Sequence, residues 1–120
     1  MDIRKEKINN NEFIFVNTYK STRSGFQHKT TLMVNNCLEI EATCNYINRT
    51  WENYAYQSVM LQAIRILENN IYNKLLENYK LKNNIKRLTA KKKEEFEKQI
   101  NNELYNDILE LKKVIRGNVW

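Results

Sequence analysis

Proline is absent from the 120 residues, and glycine occurs only twice, as Gly25 and Gly117. Two isolated glycines cannot build a phosphate-cradling loop. Histidine occurs once, as His28, and aspartate twice, as Asp2 and Asp107. Acid–base and nucleophilic catalysis need titratable groups that converge, and so thin a supply argues against an enzyme. The two cysteines, Cys37 and Cys44, lie seven apart on one expected strand. Seven extended positions span roughly 23 Å, whereas a disulfide needs Cα atoms within about 7 Å. The odd separation also points the side chains to opposite faces, so two reduced, half-buried thiols are expected. With His28 they lack the close spacing of a zinc knuckle, so neither metal nor cofactor is expected. Apolar runs are only a few residues long, so no segment is expected to span a bilayer. No apolar stretch follows the charged residues 1–7, so no secretory signal is expected, and the expected location is the cytoplasm of the host cell.

What is present is enough for one domain. Hydrophobic residues make up 42% of the chain, sufficient for a modest core. Asn, Lys and Ile are abundant, a composition that AT-rich codons give by themselves. The net charge is +6: +2 over residues 1–50, +3 over 51–87 and +1 over 88–120. Segment by segment, the excess is spread along the chain. A basic surface of this kind suits nucleic acid or an acidic protein partner and argues against mimicry of DNA.

The pattern predicts an α+β fold, a three-stranded antiparallel sheet followed by two long helices. Residues 1–49 form the sheet, 50–88 the first helix, broken or continuous, and 89–116 the last. Residues 1–10 read as a charged lead-in. Glu12–Lys20 reads as a strand with Phe13, Phe15 and Tyr19 on one face, and Ser21–Gly25 as a turn. His28–Val34 reads as a second strand, which puts His28 at a surface or an edge. In the third strand, Leu38, Ile40, Ala42, Cys44 and Tyr46 alternate with polar residues. A two-residue Asn35-Asn36 turn would pair Met33 with Leu38. A three-residue turn that includes Cys37 would pair Val34 with Leu38 and Leu32 with Ile40. Turn chemistry favours the first and face matching the second, and a one-residue slip turns every side chain over.

Thr50 is a good N-cap for the first helix. Its first half presents Tyr56, Val59, Met60, Ala63, Ile66 and Leu67, and its second half Ile64, Ile71, Leu75 and Tyr79 on a face rotated by roughly 120°. The first half is expected on the sheet and the second against the last helix. Asn83-Asn84 is a weak point, and Thr89 can cap the last helix. That helix carries one stripe: Phe96, Ile100, Leu104, Ile108, Leu111 and Ile115. At about 42 Å, it would overhang the roughly 27 Å of its partner. It then folds back or meets a second chain, which motivates a homodimer through the long helices.

Two regions are candidate contact sites. Around the first hairpin loop, Lys20, Arg23, Phe26 and Lys29 combine basic groups with an aromatic, as phosphate and base contacts require; Arg49 could add to them. An ordinary solvated loop is the plainer reading. At the start of the first helix, Trp51, Tyr54, Leu61 and Arg65 lie off the sheet-facing stripe, where binding hot spots are found. The returning last helix could cover them instead. The Lys91-Lys92-Lys93-Glu94-Glu95 run reads either as a phosphate grip or, more plainly, as a solvated helix face with neighbouring opposite charges.

The segment Asn48–Val59 carries T-W-E-x-Y-x-Y-Q-S-V, and with Ser24-Gly25-Phe26-Gln27-His28 it resembles small phage and mobile-element proteins of low-GC Gram-positive bacteria. In those, a strand hairpin precedes the same helix opening. The likeness covers roughly residues 13–67 and brings no catalytic role with it. By class analogy it implies a phage-encoded, anti-CRISPR-like inhibitor. Such a protein binds a host defence effector protein, or its guide RNA or DNA, without chemistry of its own. A nucleic-acid-binding regulator that uses the sheet and basic hairpin is the alternative, and a homodimeric assembly protein the third.

Overall fold

The computed structural model describes residues 2–46 and 52–117. The fold is α+β, but with four strands and three helices in place of the expected three and two. Strands β1 (Asp2–Ile8), β2 (Asn11–Thr22), β3 (Gly25–Val34) and β4 (Leu38–Tyr46) form an antiparallel sheet in that spatial order. Helices α1 (Glu52–Lys82), α2 (Ala90–Gln99) and α3 (Glu103–Gly117) follow. No described helix is long and apolar enough to cross a membrane.

The first correction is that the charged lead-in is β1. Its charges obscured a period of two that places Ile3, Lys5 and Lys7 on one face and Arg4, Glu6 and Ile8 on the other. Charged side chains are what an edge strand carries to discourage pairing with other chains. Asn9, at φ 54°, supplies the left-handed residue of the turn into β2, a conformation that Asn tolerates better than most. The second hairpin takes the three-residue turn, with Val34 opposite Leu38 and Leu32 opposite Ile40. Asn35 and Asn36 both adopt positive φ, and the Cys37 N–H donates to the Val34 carbonyl at 3.0 Å. Turn chemistry and face matching are thus satisfied together, because the two asparagines precede a third loop residue.

The second correction concerns the last helix, which is two. Ile100 leaves α2 with ψ 115°, and the Asn102 Oδ1 accepts from the Tyr105 N–H at 3.0 Å as the cap of α3. Asn101-Asn102 are poor helix formers and good caps. The i, i+4 spacing of the apolar stripe runs through the break without revealing it. The break lets α3 turn back along α1, where Lys112 Nζ meets Glu68 Oε2 at 2.6 Å and Gln57 Nε2 donates to the Arg116 carbonyl.

The core lies between one face of the sheet and the α1–α3 pair. Phe13, Phe15, Leu32, Val34, Ile40 and Ala42 meet Val59, Met60, Ala63, Ile64 and Leu67 of α1 and Ile108, Leu111 and Ile115 of α3. Ile64 is buried and Ile66 is 41% exposed, so the two expected faces of α1 merge into one stripe clasped by the sheet and α3. His28 is fully buried, contrary to expectation. It shares the helix-side face with Thr30 and Leu32, and Tyr56 of α1 packs edge-on against it at 4.1 Å.

At one end of the sheet, Asp107 of α3 is buried and accepts from Asn9 Nδ2 and Asn11 Nδ2, each at 2.6 Å. Asn35 Nδ2 in turn donates to Asn11 Oδ1 at 2.9 Å, so one aspartate ties two hairpin turns to a helix. Beyond Ile71, α1 has no fully buried residue, and α2 is held to it through Phe96, which packs on Tyr72 and Tyr79. These parts form a helical arm, which fits a molecule 51 Å in its longest dimension.

Candidate interaction surfaces

The helices cover one face of the sheet and leave the other open. On the open face none of the described side chains is fully buried. The register sets them in rows across the four strands. One row reads Lys5, Ile14, Met33, Glu39 and the next Ile3, Val16, Thr31, Glu41. Aliphatic side chains therefore meet at the centre, with ammonium groups at the β1 edge and carboxylates at the β4 edge. Ile3 is 50% exposed. Lys29 Nζ is 3.2 Å from Glu41 Oε1, which half-neutralises the β4 side. Among the described residues this face carries no aromatic side chain.

The sequence candidates divide between the two sides of the molecule. Lys20 is exposed and lies on the open face, opposite Gln27. Arg23 is exposed in the two-residue turn before Gly25, whose φ of 146° favours glycine. Lys29 shares the open face. Phe26 is half-buried on the opposite, helix-side face, in phase with His28, so the aromatic and the lysines do not converge. Leu61 packs against the core cluster. Arg65, one turn on, is exposed and borders a shallow recess with Gln57, Ser58 and Gln62. Arg49 and Trp51 lie outside the described residues, as does the side chain of Tyr54.

Among the described residues no group of three or more His, Cys, Asp or Glu side chains could hold a metal ion. Both cysteines are free thiols, Cys37 exposed and Cys44 half-buried. Burial pushes the Tyr72 hydroxyl above its ordinary range, aided by its hydrogen bond to Glu97 and by that carboxylate's charge. Burial likewise raises Tyr105, with Glu68 and Glu97 adding to it. Both tyrosines stay protonated at neutral pH, donors rather than nucleophiles.

No family model, curated protein or solved structure matches the chain. Function therefore rests on the surfaces. Sequence reasoning missed the open-face patch because two of its members, Ile3 and Lys5, sit in the strand read as a lead-in. No apolar period of two marks residues 3–8, because Ile3 and Ile8 fall on opposite faces.

Proposed function

We propose that the protein acts by binding another protein through the open face of its sheet, as a phage-encoded, non-enzymatic inhibitor of a host defence nuclease complex. The inhibitor setting comes from the resemblance of the tryptophan segment. What supports the binding mode is the two-row patch: aliphatic Ile14, Val16 and Met33 on the central strands, with Ile3 beside them at the β1 edge, flanked by Lys5 and the β4 carboxylates. An apolar centre with a polar rim is the anatomy of protein interfaces. Its rim is bipolar, with Lys5 at one edge and Glu39 and Glu41 at the other, and a partner needs acidic and basic groups in matching places.

A regulator that lays this sheet on nucleic acid is the weaker reading. Base stacking needs aromatics on the face, and Glu39 and Glu41 would repel phosphates. The homodimer reading loses its motive, because the overhanging helix that called for a second chain is two helices folded back on the first.

The test is inhibition of reconstituted nuclease–guide complexes by the purified protein. Wild type should co-migrate with one such complex and slow its cleavage. Ile14→Glu with Met33→Glu should bind about thirtyfold more weakly while keeping its circular dichroism. Wild type that retains and slows none of the complexes, or a double variant that binds as wild type does, refutes the proposal.

A further inference from the structure

Five of the six net positive charges belong to residues 74–98, which hold nine basic and four acidic side chains against eleven and ten in the rest of the chain. These residues are the helical arm. Its tip, from Asn78 through the α1–α2 connection to Lys93, has seven basic residues and no acidic one. Six of the seven are exposed and Lys80 is half-buried. Among the described residues the ion pairs are Arg4–Glu6, Lys29–Glu41 and Lys112–Glu68, so none of the tip's seven cations is held in one.

Helix stability does not account for this placement. Lys91, Lys92 and Lys93 crowd the start of α2, whose first turn has no acidic residue, and cations there oppose the helix dipole. Connections are also well made without them. Asn84 at φ 52° ends α1, with the Ile85 N–H on the Lys80 carbonyl at 2.9 Å, the backbone pattern of a Schellman cap. Thr89 Oγ1 accepts from the Lys92 N–H.

We propose that this tip docks on duplex DNA, gripping phosphates on both walls of the major groove with Lys82, Lys86, Arg87 and the Lys91–Lys93 run. Shape selects the occupant. Three successive helical positions sweep about 200° around α2, so a flat membrane meets only one or two of the three lysines at a time. Groove walls meet them from both sides. A helix of about 10–12 Å diameter matches a major groove about 12 Å wide, whereas the major groove of duplex RNA is too narrow to enter. The tip is distinct from the open sheet face, so the DNA contact and the protein contact stand or fall separately.

The experiment is fluorescence anisotropy of the full chain with a labelled duplex DNA, the same sequence as duplex RNA, and vesicles of phosphatidylserine and phosphatidylcholine. DNA should bind best, with affinity falling by decades between about 50 and 200 mM salt, a log–log slope of about −4 to −6. The triple variant K91E/K92E/K93E should lose more than about tenfold at about 50 mM salt and keep its urea midpoint. The pair K5E/K7E, on the sheet, should bind as wild type does. No DNA binding at the lower salt overturns the proposal. So does RNA or vesicle binding as tight as DNA, or an equal loss in the K5E/K7E control.

Discussion

Tyr72 shows how one side chain can set the pH response of a whole region. Its hydroxyl donates to Glu97 Oε1 at 3.0 Å, and its ring packs on Phe96 at 5.5 Å. Its raised pKa, from burial first and Glu97 second, means that the folded state holds the proton more tightly than the unfolded chain. The resulting stability is complete below about pH 10 and is lost as pH rises through the folded value. Tyr105, raised by its own burial, acts in the same direction. Tyr72→Phe should cost less than about 1 kcal/mol at pH 7, the range of one net hydrogen bond, and should make the alkaline decline shallower. Urea titrations at pH 7 and above pH 10 check this; a decline as steep as wild type would show that Tyr72 does not carry it.

Individual elements are defined here by asparagines. Asn9, Asn35, Asn36 and Asn84 take positive φ, and Asn102 caps α3. In a chain with two glycines, these amides supply the conformations that glycine usually provides. Asn102→Ala removes the oxygen that receives the Tyr105 N–H, and Ala favours continuing α2 into α3. The expected cost is about 1 kcal/mol, read as a lower urea midpoint with an unchanged slope. A variant as stable as wild type would mean that the α2–α3 break is set by packing alone. The asparagine pair was visible in the sequence, but an unbroken i, i+4 stripe outweighed it. Periodicity reports which residues share a face, not whether the backbone between them stays helical.

At the scale of the molecule, stability is unequal. The sheet, the first half of α1 and α3 share one core, whereas α2 is attached to the arm through a single buried residue, Phe96. Leu111, fully buried in the core, should cost about 2–5 kcal/mol when changed to Ala and lower the melting temperature of the whole protein. Phe96→Ala should leave the main transition nearly in place and instead speed amide exchange through residues 83–99, the signature of local opening. Comparable global destabilisation by the two variants would refute a separate arm. Such an arm can tolerate the crowding of like charges at its tip, since repulsion there does not reach the core.

Local chemistry determined much of the protein before any coordinates. Alternation in residues 38–46, the shared face of Leu32 and Val34 in the strand before them and the cap at Thr89 depend on neighbours within a few positions, and the backbone obeyed them, whereas the continuity of α1 was not legible. Phe13, Phe15 and Val59 were legible as core for the same reason. Tertiary structure alone decided three other matters. It placed His28 under Tyr56, since the depth of a strand residue depends on what lies across the sheet. It completed the open-face patch by adding β1, because hydrogen bonding to β2, not hydrophobicity, holds that strand. It also set the basic stretch 78–93, contiguous in the sequence, at one tip, because α2 doubles back on α1 and Phe96 packs on Tyr79.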